Sequence, residues 1–174
     1  MPSYNGTTSI QVTNQLPANQ TLIIPAGWSG ISSYLNPANP NLLNLMAPVA
    51  DHLLMVKNNT NCYSPPLGIM PSAPWNSTSG YFIKLDAPVQ LSIPGFEIQN
   101  NTIALSVGWN LVPVISNDIF ILDEILTGLD FEIVQEAATS NIYWPSMAIQ
   151  SLYFFEPGKA YLIKMNSPGM ITFP

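Results

Sequence analysis

Residues 21–29 read Thr-Leu-Ile-Ile-Pro-Ala-Gly-Trp-Ser, and residues 102–110 read Thr-Ile-Ala-Leu-Ser-Val-Gly-Trp-Asn. In the same way, residues 81–84 (Tyr-Phe-Ile-Lys) return as residues 161–164 (Tyr-Leu-Ile-Lys). Similar segments that recur at a spacing of about eighty residues indicate one structural unit used twice. Residues common to both copies are expected to build the scaffold, and a binding feature is expected where the copies differ.

The repeat divides the chain into three parts. We predict a leading segment over residues 1–17, a first unit over residues 18–97 and a second unit over residues 98–174. Residues 9–13 alternate like a strand, which predicts either an edge strand of the first unit or a continuation from a preceding domain. The two units are expected to pack together through apolar faces as one body, related by a pseudo-twofold axis.

Each unit is predicted to be mainly strand with one short helix. Apolar residues recur at helical spacing over residues 42–49 and again over residues 121–129, where Asp118 is a candidate N-cap. Runs of apolar and β-branched residues bounded by Gly and Pro predict strands elsewhere. The predicted fold class is therefore mainly β, a β-rich α+β protein built from two homologous antiparallel units.

The turns and connections of the two units are also predicted from the repeat. Gly27 and Gly108 are expected to adopt a positive φ in a turn, each followed by a strand, over residues 28–35 and 109–115. The end of each unit reads as a hairpin, one over residues 80–93 and the other over residues 160–173.

Composition excludes several classes of partner. Of the 174 residues, 47% are hydrophobic and only 8% are charged, and four lysines without any arginine leave a formal net charge of −6. Nucleic acid requires a basic surface, so it is excluded as a partner, and an anionic membrane surface is disfavoured for the same reason. No apolar run is long enough for a membrane-spanning helix, so membrane insertion is not expected.

Motifs for catalysis are scarce. His52 is the sole histidine and Cys62 the sole cysteine, and no Gly-x-Ser-x-Gly motif accompanies them. We expect His52 to be structural and Cys62 to be a small apolar core residue, with no metal and no cofactor.

Carboxylates are concentrated in the second copy, at positions 118, 123, 124, 130, 132 and 136. Solvated helix and loop positions explain them, although a pair of carboxylates is all that glycoside hydrolysis needs. A calcium site at residues 117–118 or near Asp130 stays open, but the spacing matches no EF-hand loop.

Aromatic residues fall into two groups. Those at matched positions are interpreted as core packing, namely Trp28 and Trp109, Tyr63 and Tyr143, Tyr81 and Tyr161, and Trp75 and Phe155. The unmatched ones are the predicted ligand-binding residues, namely Trp144, Tyr153, Phe154 and Tyr34. An aromatic platform flanked by amides and hydroxyls would suit a neutral sugar, whose apolar face stacks on rings.

Four segments of the second copy form a distinctive set, namely residues 108–113 (Gly-Trp-Asn-Leu-Val-Pro), residues 142–145 (Ile-Tyr-Trp-Pro), residues 157–165 (Pro-Gly-Lys-Ala-Tyr-Leu-Ile-Lys-Met) and residues 171–174 (Ile-Thr-Phe-Pro). Together they resemble a repeated module of large secreted and surface proteins of Bacteroidetes. In that family the module lies among adhesion-like or Ig-like domains and near a type IX secretion sorting signal. The resemblance implies a secreted or cell-surface protein, neighbouring domains in a longer chain, and a non-catalytic role.

Three functional hypotheses follow from these observations. The first is a non-catalytic extracellular binding or adhesion module that recognises a glycan or a surface protein. The second is a purely structural spacer or domain-interface module, and the third is a glycan-active enzyme. Exposure of Trp144 and Tyr153 would favour the first over the second, whereas the third requires two carboxylates facing one cleft.

Overall fold

A computed structural model describes residues 15–174 of the protein, and most of its regular structure is strand. Strands account for 46% of the structure and helices for 11%. The prediction of a mainly β protein with antiparallel sheets and few short helices is therefore confirmed. The predicted edge strand at residues 9–13 lies outside the described residues. None of the helices in residues 15–174 is long and apolar enough to cross a membrane.

The regular elements follow one another in a similar order in the first half (residues 18–97) and the second half (residues 98–174). Those of the first half are β1 (Ala18–Ile24), β2 (Gly27–Ile31), β3 (Leu35–Pro37), α1 (Leu42–Met46), a 3-10 turn (Ala47–Val49), β4 (Leu53–Lys57), β5 (Cys62–Tyr63), a 3-10 turn (Pro65–Leu67), β6 (Tyr81–Leu85) and β7 (Val89–Glu97).

Those of the second half are β8 (Thr102–Leu105), β9 (Gly108–Pro113), β10 (Phe120–Ile121), α2 (Leu122–Ile125), β11 (Phe131–Glu136), β12 (Ile142–Trp144), a 3-10 turn (Pro145–Met147), β13 (Ile149–Gln150), β14 (Phe154–Phe155), β15 (Ala160–Met165) and β16 (Gly169–Thr172). One short helix is therefore present in each half, as predicted.

Most strand pairings of the first half recur in the second half. The first half forms a sheet of order β1-β7-β3 and one of order β2-β6-β4-β5, and the second half forms β8-β16 and β13-β12-β11-β15-β9, with a further pair β10-β14. Equivalent pairs hold equivalent registers, as in Leu22 with Leu91 and Ile103 with Ile171, Trp28 with Lys84 and Trp109 with Lys164, and Val56 with Ile83 and Val134 with Ile163. The local similarity in sequence thus reappears as similar long-range pairing.

Each half has its own apolar core. In the first half, alternate residues of β1 point inward, so that Leu22 and Ile24 are buried while Ile23 between them is exposed. They join inward-facing residues of β7, β2, β4 and β6 and the apolar face of α1 in one cluster. A corresponding cluster fills the second half. Two sheets therefore enclose each core from opposite sides.

The predicted closing hairpins are wrong. β6 and β7 are consecutive, yet β6 pairs with β2 and β4, whereas β7 pairs with β1 and β3. β15 and β16 likewise belong to different sheets. Both consecutive strands have an apolar face that must be buried, and the turn between them places those two faces against a common core instead of side by side.

Two local predictions are corrected and one is confirmed. The strand predicted over residues 28–35 is broken, because the chain leaves β2 after Ile31 and pairs with a different sheet from Leu35 onward. Helix α2 begins after Ile121, so Asp118 is not its cap, and acidic residues in its first turn take that electrostatic role. Gly27 and Gly108 have φ values of 93° and 87°, which confirms the predicted turns.

Small residues and hydrogen bonds join the halves. Ser32 donates its N–H to the Gly158 carbonyl at 2.9 Å, and its hydroxyl accepts a hydrogen bond from the Val114 N–H at 3.2 Å. The Gly80 N–H donates to the Leu111 carbonyl at 3.2 Å. Gly30 lies so close to Ala137 that a Cβ on the glycine would overlap that side chain. The absence of side chains at such points allows the two backbones to approach.

Candidate functional site

Tyr153 and Phe154 form an exposed aromatic pair on the second half. Their side chains are 53% and 47% exposed, and their ring centroids lie 6.5 Å apart. Phe154 pairs with Ile121 of the adjacent strand β10, which is also exposed. Both residues belong to the predicted ligand-binding set, and the fold leaves both of them accessible.

The backbone around this pair is firmly held. The Leu122 N–H donates to the Tyr153 carbonyl at 3.0 Å, and the Tyr153 hydroxyl donates to the Gln150 carbonyl at 3.1 Å. Phe155, the next residue of the strand, points inward and is completely buried against Tyr161, with 4.7 Å between ring centroids. Because alternate residues of a strand point to opposite faces, burial of Phe155 directs Phe154 outward.

Trp144 is close to this pair along the chain but is less accessible. It lies at the end of β12, pairs with Ile149 of β13, and is half-buried. Its indole nitrogen is enclosed and has no hydrogen-bond acceptor. Tyr153 and Phe154 are therefore the more exposed members of the predicted set.

Tyr34 lies apart from the other three predicted residues. It borders a separate cleft of about 470 Å³ between the two halves, together with Glu97, Asn101 and Asp118. Its backbone N–H donates to the Gln20 side-chain carbonyl at 3.1 Å, which fixes the chain where β2 gives way to β3. The four predicted residues therefore do not form a single site.

The interpretation of Trp28 and Trp109 as core residues is wrong. They are 41% and 52% exposed, and each lies on the outer face of its sheet opposite a lysine, Lys84 or Lys164. Matching positions in two copies revealed a shared role but did not distinguish a buried role from an exposed one. The alternation of side chains along a strand does predict the exposure of Trp28. Trp28 and the inward-facing Ile31 are an odd number of residues apart, so their side chains point to opposite faces of β2.

Trp28 borders a cleft of about 370 Å³ between the halves. It is lined by residues of both halves, among them Thr21, Trp28 and Ser29 of the first and Glu136 and Lys159 of the second. This cleft was not predicted, because its two walls lie more than one hundred residues apart in the sequence.

The charged side chains of this cleft form ion pairs. The Lys159 Nζ lies 3.0 Å from a carboxylate oxygen of Glu136 and 3.0 Å from one of Glu156. Burial lowers the pKa of the Lys159 ammonium, but hydrogen bonds and the charges of both carboxylates outweigh that effect and raise the pKa above its ordinary value. Lys159 is therefore a stable cation at neutral pH.

His52 and Asp86 form a polar pair on the first half. Its Nδ1 lies 2.9 Å from an Asp86 carboxylate oxygen, and the Asp86 N–H donates to the His52 carbonyl. In the second half, the Asn166 amide donates to the Asp130 carboxylate at 2.8 Å, and the Asn166 N–H donates to the Asp130 carbonyl. A polar pair thus joins equivalent segments in each half, although the residues of the pair differ.

Two further carboxylates of the second half, Glu132 and Asp123, also have individual partners. Glu132 lies 2.6 Å from the Lys164 ammonium, and a hydrogen bond to Asp123 raises the pKa of Tyr143. Within residues 15–174, no three His, Cys, Asp or Glu side chains are grouped so that they would hold a metal ion. Cys62 is half-buried on β5 rather than a core residue.

Two matched apolar turns are exposed that the sequence pattern did not predict. Leu67 and Ile69 are exposed after β5, and Met147 and Ile149 are exposed at the corresponding places after β12. The signal was present, since residues 63–69 and 143–149 both follow a Tyr-x-Pro pattern and both end in isoleucine.

Comparison of the chain with protein-family models, with curated proteins and with solved structures finds no match.

Proposed function

We propose that this protein is a non-catalytic binding module that recognises a neutral glycan through the exposed aromatic pair Tyr153 and Phe154. Exposure of these two large rings side by side is the observation that supports the proposal. Aromatic faces stack on the apolar faces of sugar rings, and exposed aromatic residues grouped together are typical of binding surfaces.

The difference between the two halves supports the same function. The first half has Ala73 and Pro74 at the positions of Tyr153 and Phe154, although the next residue, Trp75, is buried like Phe155. The scaffold therefore does not require the aromatic pair. Residues that are unnecessary for folding and costly to expose are best explained by a ligand.

Charge defines the kind of ligand. No arginine and only four lysines are present among 174 residues, and the net charge is −6. A phosphorylated or sulfated ligand would be repelled by that charge, whereas a neutral glycan is unaffected. The resemblance to the module of Bacteroidetes surface proteins supports an extracellular setting for such binding, with neighbouring domains in a longer chain.

The proposal is tested with immobilised glycans. The chain is applied to a glycan array and to insoluble neutral polysaccharides, beside the double variant Tyr153→Ala, Phe154→Ala. We expect retention on particular neutral glycans and a loss of at least about tenfold in apparent affinity for the variant, since stacked aromatic residues dominate such contacts.

The control is Trp109→Ala, which removes another exposed aromatic residue from a different strand of the same half. Circular dichroism establishes that each variant is folded. Equal retention of the chain and the double variant would overturn the proposal. No retention on any glycan would also overturn it, and would leave a structural or protein-interaction module as the better description.

A domain-interface role is the second candidate, and the matched apolar turns favour it. Leu67 and Met147 are exposed at equivalent positions of the two halves. A neighbouring domain that covers both turns would bury them in the same way. Failure of glycan binding, combined with self-association that Leu67→Ser and Met147→Ser together abolish, would support this alternative.

A further inference from the structure

Two of the four lysines lie over the same tryptophan ring. The Lys57 ammonium is 5.5 Å and the Lys84 ammonium 5.6 Å from the centroid of the Trp28 ring. Phe82 meets the indole edge to face, with 6.4 Å between ring centroids. Phe82 and Lys84 alternate with buried residues of β6, and each pairs with one of the other two residues. These four side chains therefore share the outer face of the sheet and form a lysine–tryptophan face.

Neither lysine of this face has a carboxylate partner. Lys57 and Lys84 form no ion pair with any carboxylate of residues 15–174, and residues 1–14 contain no Asp or Glu. The other two lysines, Lys159 and Lys164, lie 3.0 Å and 2.6 Å from a carboxylate oxygen. The indole attracts both ammonium groups but neutralises neither. The lysine–tryptophan face is thus positively charged on a protein whose net charge is −6.

The equivalent face of the second half contains a carboxylate of its own. Trp109 and Lys164 pair across β9 and β15 at the places of the first half's tryptophan and β6 lysine. Glu132 lies at a bulge of β11, and its carboxylate oxygen is 2.6 Å from the Lys164 ammonium. The fold itself therefore shows a carboxylate held by the lysine at this position.

The first half lacks that carboxylate and has an additional lysine. Leu54 lies at the matching bulge of β4, where Glu132 lies in β11. Lys57 takes the place of Gln135, because each is the next residue after a valine that pairs with the same position of the neighbouring strand. Since the two sheets have the same pairing here, the fold does not require this difference in charge.

The composition of the face indicates the kind of ligand. Trp28 is 41% exposed with Phe82 half-buried beside it, and exposed aromatic residues are typical of the centre of protein interfaces. A carboxylate that contacts both ammonium groups forms charge-assisted hydrogen bonds, which are stronger than neutral ones. The net charge of −6 repels a long polyanion, so a ligand with one or two carboxylates is favoured over an acidic polysaccharide.

We propose that the lysine–tryptophan face binds a short acidic segment of a protein partner. A carboxylate of that segment contacts both ammonium groups, in the role that Glu132 has beside Lys164 in the second half. A neighbouring apolar side chain of the segment covers the exposed part of Trp28. This surface lies on the first half and is independent of the proposed glycan site on the second half.

The experiment is an NMR titration of the isotope-labelled chain at low ionic strength. The probe is the blocked peptide acetyl-Gly-Glu-Leu-Glu-Gly-amide, and its control has glutamine at both glutamate positions. We expect the glutamate peptide to shift the Trp28 indole signal and the backbone signals of Lys57 and Lys84, and to leave the Trp109 indole signal unchanged. Equal shifts with the glutamine peptide, or an unshifted Trp28 indole, would overturn the proposal.

Two changes to the charge of the face test its role without altering the tryptophan. The double variant Lys57→Gln, Lys84→Gln is expected to weaken peptide binding at least about fivefold, because both charges are removed. Leu54→Glu is expected to do the same, since it supplies an internal carboxylate. The matched control, Lys164→Gln, should remain within about twofold of the unchanged chain. Unchanged binding in both charge variants would contradict the proposal.

The converse exchange tests whether these charges are sufficient. Glu132→Leu with Gln135→Lys gives the second half the charges of the first, and the glutamate peptide is expected to shift the Trp109 indole signal of this variant. Absence of that shift would contradict the assignment of binding to these charges. Trigalacturonic acid is the competing anionic sugar. Larger shifts of the Trp28 indole with this sugar than with the peptide at equal concentration would overturn the choice of a protein partner.

Discussion

At the residue scale, the turn after each Tyr-x-Pro segment depends on one residue with left-handed backbone. Gly68 has a φ of 65° in the first half, and Ala148 has a φ of 54° at the equivalent place. Both positions are exposed, and nothing lies within 4 Å of where a Cβ on Gly68 would be. The two residues thus differ in backbone strain and not in packing.

This difference predicts opposite effects of exchanging the two residues. Gly68→Ala is expected to lower the free energy of unfolding by about 1 kcal/mol, because a Cβ strains the left-handed conformation. Ala148→Gly is expected to raise it by a smaller amount, since relief of strain is partly offset by greater freedom of the unfolded chain. Urea denaturation measures both changes, and a stabilising Gly68→Ala would contradict this explanation.

At the element scale, β6 and β15 begin at or next to a buried tyrosine with the same hydrogen bond. The Tyr81 hydroxyl accepts from the Asn76 N–H at 2.8 Å, and the Tyr161 hydroxyl accepts from the Glu156 N–H at 2.9 Å. Burial raises the pKa of both hydroxyls, and the hydrogen bonds from these N–H groups only partly counter it. The tyrosines therefore anchor the loop before each strand in their neutral form.

Stability is expected to fall in alkaline solution. Because the folded-state pKa of Tyr81 and Tyr161 lies above that of the unfolded chain, the unfolded chain loses these protons first as the pH rises. The stabilisation is complete below about pH 10 and declines above it. Urea denaturation at pH 7, 9 and 11 measures the decline.

Tyr161→Phe is the variant that assigns this decline. It is expected to cost about 1–3 kcal/mol at pH 7, since the Glu156 N–H loses its acceptor, and to reduce the loss at pH 11. Tyr153→Phe, at an exposed position, is the control and should leave the alkaline decline unchanged. An identical decline in both variants would show that another group is responsible.

At the scale of the whole molecule, the close approach of the halves is determined by Gly30. A Cβ there would overlap Ala137 and would lie 3.1 Å from the Ala160 carbonyl oxygen. Gly80 and Gly158 occupy similar positions, the first beside Ala160 and the second beside Leu22. Backbone contact at these points also forms one side of the cleft beside Trp28.

Gly30→Ala is therefore expected to destabilise the protein by about 2 kcal/mol, because the added carbon forces the halves apart. Ser29→Ala, one residue away, is the control and should have a much smaller effect. Thermal unfolding followed by circular dichroism measures the difference. Equal midpoints for the two variants would mean that the contact tolerates an added methyl group.

The sequence by itself determined that most elements are strands and that the two halves contain similar local segments. Short-range pattern predicts the strand and helix periods and the positive φ of Gly27 and Gly108. It also predicts the burial of Trp75 in the first half and of Phe155 at the equivalent position of the second half. These features depend on residues that are close in the chain, where sterics and alternation of burial act directly. The first copy has no aromatic residue at the positions equivalent to Tyr153 and Phe154, and this difference also agrees with their exposure.

The tertiary structure decided everything that depends on how separate segments meet. Strand partners were decided there, since the predicted hairpin of β6 and β7 became two strands on opposite sides of a core. The exposure of Trp28 and the cleft beside it were decided there as well, because that cleft joins β2 to residues 136–159. Pairing and cavities are set by burial of apolar faces across long sequence separations, and a local pattern shows that a face must be covered without showing what covers it.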